Sequence, residues 1–235
     1  MGTKKTAIIT GAGRGMGAAI ARELKAEGYE LVLMSRTREQ VTALGAELEA
    51  EWITGSVTSP GDLQRLVELT LDRFGRIDAL VNSTGHCPKG DLLEIPDKDW
   101  FAGFELALLN VIRTARLVTP IMIGQGGGAI VNISTFAAFE PSPDYPVSSA
   151  IRAALGSYVK LFADRYASEN VRMNNILPGC IDSQQFDVEF IESIPMKRLG
   201  TVKEIARTAA FLLSPGAGYI TGQNIRVDGS LTRSV

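Results

Sequence analysis

The feature that most constrains this chain is a glycine-rich turn near its start. Thr6-Ala7-Ile8-Ile9-Thr10 is a short apolar run ending in Gly11-Ala12-Gly13-Arg14-Gly15-Met16-Gly17. Residues 15–28 then carry apolar positions at helical spacing (Ala19, Ile20, Leu24) and stop at Gly28. An apolar run without alternation is the pattern of a strand buried on both faces, as in a parallel sheet. Glycines between strand and helix permit positive φ and let the backbone approach a ligand closely. The free N–H groups and dipole of the following helix attract an anion such as a pyrophosphate. A glycine turn set between a strand and a helix is therefore the pattern of a dinucleotide site in its confirming context.

The same alternation continues along the chain. Strands are expected at Glu30–Met34, Glu51–Thr54, Asp78–Val81, Ala129–Ile133, 171–176 and Asn224–Val227, and helices at 38–50, 60–74, near 97–123, around 146–168 and at 202–213. Seven strands separated by helices predict an α/β fold, a Rossmann-like doubly wound parallel sheet with helices on both faces. No linker or repeat interrupts it, and the one shift in composition is Gly124–Gly128, so residues 1–235 are expected to form one domain.

Composition narrows the functional classes. With 45% hydrophobic and 21% charged residues, disorder and coiled coil are excluded. Lys plus Arg is 24 against 26 Asp plus Glu, a net charge of −2, which argues against a nucleic-acid binder. No apolar run in the sequence approaches the ~18 residues of a membrane span. Cys87 and Cys180 have neither zinc spacing nor a disulfide framework. Met1-Gly2-Thr3-Lys4-Lys5-Thr6 fits the myristoylation pattern but reads as a lead-in to the first strand. The expectation is a cytoplasmic protein without membrane or nucleic-acid partners.

About twenty residues past the glycine turn, a dinucleotide site places an acid on the ribose for NAD or a base for the 2′-phosphate of NADP. Strand two ends Met34-Ser35-Arg36-Thr37-Arg38, without an acid. Ser35 can donate to a phosphate oxygen and Arg36 can pair with it bidentately, and Arg14 in the glycine turn adds charge of the same sign. NADPH is therefore expected over NADH. The competing explanation is that Arg36 and Arg38 form a solvated helix start.

At this point the chain resembles a short-chain dehydrogenase/reductase over nearly its full length. The resemblance rests on Thr10–Gly17, Asn82-Ser83-Thr84-Gly85, Ile130-Val131-Asn132-Ile133-Ser134-Thr135, Asn174–Gly179, Tyr219-Ile220-Thr221-Gly222-Gln223 and Val227-Asp228-Gly229, in family order. It implies an NAD(P)-dependent oxidoreductase acting on a small molecule, a homotetramer or homodimer joined through helices 105–123 and 146–168. It also implies a cofactor site of Gly11, Arg14, Gly15, Met16, Gly17, Ser35, Arg36, Ser56, Val57, Asn82, Gly85, Pro178, Gly179 and Ile181. Asn82 and Gly85 would contact the cofactor or brace strand four, and the Pro178-Gly179 turn would cover the nicotinamide. Ser56 stands where the family often has an aspartate at the adenine, and Asp182 where it usually has a threonine. Segment 180–200, with Phe186, Phe190 and Ile191, resembles the variable substrate lid.

The family's chemistry uses an asparagine, a serine, a tyrosine that passes the proton, and a lysine four residues later whose charge lowers the tyrosine pKa. The second hydroxyl after strand five is Thr135; thirteen residues on stands Ser148, and four further Arg152. The asparagine position, seven after Trp100, is Ala107, with Asn110 one helical turn beyond on the same face. A three-residue deletion would instead make Tyr145 the tyrosine, with Ser149 in the lysine position. Ser148 is a weak acid and Arg152 stays protonated, so neither relays a proton. Both, with Thr135, can donate hydrogen bonds. A protonated imine needs only hydride, so the expected substrate is an imine, or a carbonyl with another acid in place. His86, the single histidine, is the alternative acid and Cys87 a small pocket filler. The alternative from another class is a dinucleotide-binding sensor or partner subunit without turnover.

Overall fold

The structure is a computed structural model that describes residues 4–234; the Met1–Thr3 part of the lipidation pattern lies outside the described residues. Its apolar runs assemble as expected into one parallel sheet. The strands are β1 (Thr6–Thr10), β2 (Glu30–Ser35), β3 (Glu51–Thr54), β4 (Ala79–Asn82), β5 (Gly128–Ile133), β6 (Val171–Pro178) and β7 (Asn224–Val227), in the order β3-β2-β1-β4-β5-β6-β7. β1 and β4 are buried along their whole length because they occupy the middle of the sheet. Strand residues alternate between two cores. Ile9, Leu33, Val81 and Val131 face one, while Ile8, Val32, Leu80 and Ile130 face the other.

Helices α1 (Gly15–Ala26), α2 (Arg38–Leu48) and α3 (Pro60–Phe74) follow the first three strands. Then come α4 (Asp97–Phe104), α5 (Asn110–Gly124), α6 (Pro146–Tyr166), the short α7 (Val188–Ser193) and α8 (Val202–Leu213). The ends of α3 and α8 match their expected bounds because the stop signals are local. The Ser59 hydroxyl accepts from the Asp62 amide ahead of Pro60, and Gly75 closes α3 at φ 71°. Thr201 and Glu204 form a capping box on α8. β4 begins one residue later than expected, after Asp78, whose Oδ2 accepts from the Thr6 amide at 2.8 Å and whose two oxygens receive the Arg76 guanidinium.

Between α4 and α5 a wide helical turn, Glu105–Leu109, carries i→i+5 bonding and joins the two into one continuous run. Asp97–Gly124 is therefore 28 residues long with a mean hydropathy of 1.5 in its most apolar window, enough by length and composition to cross a membrane. Half of that window is buried inside the protein. It packs its apolar face on the sheet with α3 and α6; of its buried polar residues Asn110 and Thr114 are hydrogen-bonded, while the Thr119 hydroxyl has no partner among the described residues.

Candidate active site

Strand order reverses between β1 and β4, and the carboxyl ends of strands at such a switch point leave a crevice. Here it is a cleft of about 1240 Å³ walled by the glycine turn, Ser35–Thr37, Gly55–Thr58, Ser83–His86 and Asp182–Gln185. Its floor is pinned by Thr10, whose hydroxyl donates to the Ser83 carbonyl and accepts from the Ser83 amide, both at 3.1 Å. The turn comes so close to β4 that a Cβ on Gly11, at φ +60°, would overlap the Ser83 carbonyl oxygen. A Cβ on Gly17 would overlap the Gly11 carbonyl in the same way. Helix α1 starts with no side-chain cap and no acid in its first turn. Its N–H groups and dipole are thus left for a ligand anion, and this cradle fits a pyrophosphate.

At the far end of the glycine turn, Ser35 and Arg36 line the cleft beside Gly13 and Gly85. Arg36 and Arg14 are exposed, and neither has an ion-pair partner among the described residues. Arg38 behaves differently: it opens α2 and its guanidinium lies 6.0 Å from the Trp52 ring centroid. The two arginines expected as a pair therefore do separate things. Ser56 and Val57 line the adjoining wall. The Ser56 amide donates to Asp62 Oδ2 at 2.9 Å and its hydroxyl shares a 2.8 Å bond with Thr58, so this corner is rigid.

Asn82, Pro178, Gly179 and Ile181 stand behind the cleft wall rather than on it. Asn82 Nδ2 donates to Asn132 Oδ1 at 2.9 Å, Asn132 to Asn175 at 2.9 Å, and Asn175 to Asn224 at 2.8 Å. These four are register partners across β4, β5, β6 and β7, so one row of side-chain amides cross-links four strands. Thr114 on α5 donates to Asn82 Oδ1 at 3.0 Å and closes the row. Pro178 ends β6, Gly179 packs against the Asp228 backbone, and Ile181 is buried and bridged to Gly200. Asp182 lines the cleft, but its Oδ1 accepts from the Val202 amide at 2.9 Å and so caps α8.

Of the catalytic candidates, Arg152 reaches the cleft wall at Thr84, while Thr135, Ser148 and Tyr145 stand off that wall. Thr135 lies two residues past β5 and its Oγ1 accepts from the Ala137 amide at 3.4 Å; Ser148, half-buried, is in the first turn of α6. Arg152, one turn on, is only 6% exposed. It donates to the Ile133 carbonyl at 2.8 Å and to Thr84 Oγ1 at 3.2 Å, and the Cys87 thiol faces it. Burial pushes the Arg152 pKa down, with the Cys87 contact opposing. No carboxylate pairs with it among the described residues.

Tyr145 precedes α6, with the Lys89 ammonium 4.3 Å from its ring centroid. Burial, then Cys180 and Asp144, push the Tyr145 pKa up, the direction opposite to that of a proton-relaying tyrosine. Ser149, its lysine position in the shorter register, is buried and its Oγ accepts from the Ser142 amide at 3.3 Å. His86 lines the cleft; burial, Lys89, Arg152 and Arg14 lower its pKa, so the imidazole is neutral at pH 7. Asn110 is buried directly after the wide turn, its Nδ2 donating to the Leu106 carbonyl.

The loop between Thr135 and Tyr145 is held from outside. Glu140 Oε2 accepts from the Arg233 and Ser234 amides at 2.8 and 3.1 Å and from the Ser234 hydroxyl at 3.0 Å. Arg226 lies over the neighbouring Phe139 ring at 4.5 Å. Sequence reasoning missed this strap, together with Thr37, Gln40, Ser83, Thr84 and Leu106 on the cleft wall. In the 180–200 segment, Phe186 and Phe190 stack on each other at 5.7 Å.

A parallel sheet with an uncapped glycine-turn helix at its switch point defines an α/β protein of the dinucleotide-binding class. Comparisons with known proteins narrow this further. Residues 11–232 match the family profile described as enoyl-(acyl carrier protein) reductase. The chain is 34% identical to a 3-oxoacyl-[acyl-carrier-protein] reductase of Synechocystis sp. over 97% of both chains. It is 32% identical to dehydrogenase/reductase SDR family member 4 of Caenorhabditis elegans, covering 97% of this chain and 95% of the other. The crystal structure of YwfH, an NADPH-dependent reductase involved in bacilysin biosynthesis, superimposes with a TM-score of 0.93 at 27% identity, over 99% of this chain and 100% of that one. That of L-sorbose reductase from Gluconobacter frateurii with NADPH and L-sorbose gives 0.90 at 28% identity, over 99% and 98%. The chain belongs to the short-chain dehydrogenase/reductase family.

Proposed function

We propose that this protein is an NADPH-dependent reductase that transfers hydride to a small carbonyl or imine substrate through an active site divergent from its family's. The observation that carries the cofactor choice is the pair of unpaired guanidinium groups, Arg14 and Arg36, flanking Ser35 at the end of the glycine turn. A 2′-phosphate there would receive charge-assisted, bidentate hydrogen bonds. Gly11, Gly15, Met16 and Gly17 would hold the pyrophosphate, and Ser56 and Val57 the base. Asn82, Gly85, Pro178, Gly179 and Ile181 would shape the nicotinamide end. The bound cofactor supplies the hydride.

The protein's own part is to orient the acceptor and offset developing charge. Thr135 and Ser148 donate hydrogen bonds to the reducible group. Arg152 keeps its charge and holds Thr84 and the end of β5 in place. Asn110, one helical turn beyond Ala107 on the same face, stands in for the family's asparagine. An imine arrives with its proton already on nitrogen, which suits a site whose hydroxyls are weak acids. Tyr145 with its raised pKa is the less favoured donor. The protein works in the cytoplasm as a homotetramer or homodimer through α5 and α6, where Leu161 is 68% exposed.

The first test is a thermal-shift titration. NADPH at a hundred times its Kd stabilises the fold by about 2.7 kcal/mol, a shift of several degrees for a chain of this size. Arg36→Ala is expected to weaken NADPH by roughly tenfold or more while NADH changes little. NADPH oxidation with a panel of cyclic imines and ketones follows. A thermal shift without turnover on any of them would favour the sensor or partner-subunit alternative, and no shift with either nucleotide would remove both.

A further inference from the structure

Past the cofactor cleft, positive charge gathers with no ion pair to offset it among the described residues. Lys89 sits on the exposed loop after β4, its ammonium on the Tyr145 ring, and no carboxylate lies within ion-pair distance of it among the described residues. Arg152 reaches the same region from α6, buried and without a counter-charge. His86 lines the cleft near both, and the charges that act on it are Lys89, Arg152 and Arg14, all cationic. The first α6 bond is made by the Ser149 amide to the Tyr145 carbonyl, so the positive pole of a 21-residue helix opens at the same place. Asp182 caps α8 and Glu105 pairs with Arg113 at 2.9 Å, while Asp144, next to Tyr145, forms no ion pair among the described residues. Beneath lies a small apolar cluster of Cys87, Ile95, Ala107 and Val147, whose low polarity strengthens any ion pair formed above it.

Cofactor phosphates explain Arg14 and Arg36 at the glycine-turn end, but not Lys89, which lies beyond His86 and off the cleft wall. A buried guanidinium lacking an anion is costly, and an anionic ligand relieves that cost. We propose that Lys89, His86 and Arg152 form an anion subsite, so that the substrate carries a carboxylate next to its reducible C=O or C=N. Lys89 makes the ion pair, the His86 imidazole donates one N–H, and Arg152 supplies charge from below. This names the substrate class of the reductase reading and rests on it for turnover, but not for binding.

Calorimetric titration, with and without NADP⁺, of 2-oxo-4-phenylbutanoate and of 4-phenylbutan-2-one tests this without turnover. The two probes differ by carboxylate against methyl. The acid is expected to bind about tenfold tighter or more, the worth of one charge-assisted hydrogen bond. Lys89→Gln, on an exposed loop and therefore safe for the fold, should reduce that ratio to about unity, and Lys89→Arg should keep most of it. Equal affinities, a preference that survives Lys89→Gln, or no binding of the acid overturns the subsite. NADPH oxidation by the ketone with no preference for the acid also overturns it, leaving the reductase reading intact. A Lys89-dependent preference without turnover of either probe supports the subsite and removes the reductase reading.

Discussion

The row of asparagines behind the site makes a quantitative prediction. In Asn132→Ala, two hydrogen bonds of 2.9 Å vanish together, one from Asn82 and one to Asn175. Both surviving partners are buried, Asn82 2% and Asn175 0% exposed, so water does not replace what they lose. A neutral bond contributes about 1 kcal/mol net, and each stranded polar group adds about 1–3 kcal/mol. Allowing for partial repair by neighbours, the expected cost is about 3 kcal/mol, or about 6–12 °C in Tm for a chain of this size. Urea unfolding followed by circular dichroism measures it. The double variant Asn82→Ala/Asn132→Ala should cost about 1 kcal/mol less than the sum of the singles, since they share one bond. A single-variant cost below about 1 kcal/mol, or strict additivity, would refute the idea that the row acts as one polarised chain.

Three further outcomes follow from particular groups. Gly11→Ala is expected to fold but to lose NADPH binding by more than about tenfold, because its φ of +60° is unfavourable for alanine and its Cβ meets Ser83; NADPH affinity within twofold of the parent, by fluorescence titration, would sink the cradle. Burial pushes the Cys180 thiol up to about 11, so at pH 8 it holds roughly a hundredth of the ordinary thiolate fraction. Iodoacetamide should label it about a hundredfold more slowly than an unfolded thiol by mass spectrometry, and rapid native labelling would contradict this. His86 should titrate by NMR below its ordinary 6.5 and move up in Lys89→Gln. Because the folded value is lowered, the unfolded chain takes the proton first as pH falls. His86 therefore subtracts stability below about pH 6.5 and none above it; a midpoint at or above 6.5 removes this.

What the sequence displays follows from the range of the interactions involved. The strands are apolar runs separated by helices, so the doubly wound parallel sheet was legible. Helices 60–74 and 202–213 were placed to the residue because Ser59-Pro60 and Thr201 signal locally. The wide turn at Glu105–Leu109 carries no such signal, so the sequence shows only a helical run near 97–123. Asp182 stands out in sequence only as a replacement for the family's threonine; its partner, the Val202 amide twenty residues away, shows only in the fold. The asparagine row was equally hidden. Each member is an ordinary polar strand residue, and only register brings the four together.

The strap on Glu140 has a practical consequence. One exposed carboxylate gathers two amides and a hydroxyl from residues 233 and 234, and those bonds hold its pKa below the usual 4.5. The sign places their contribution at neutral and mildly acidic pH, with release only as the carboxylate takes up a proton in stronger acid. Because Glu140 belongs to the connection from Thr135 to Tyr145, tension on Ser234 is transmitted to the residues expected to meet substrate. An affinity handle or surface tether attached after Ser234 would tug on that connection. Lys4 and Lys5 lead into β1 at the opposite, amino-terminal edge of the sheet, so immobilisation through that side leaves the strap slack and the reaction face turned outward.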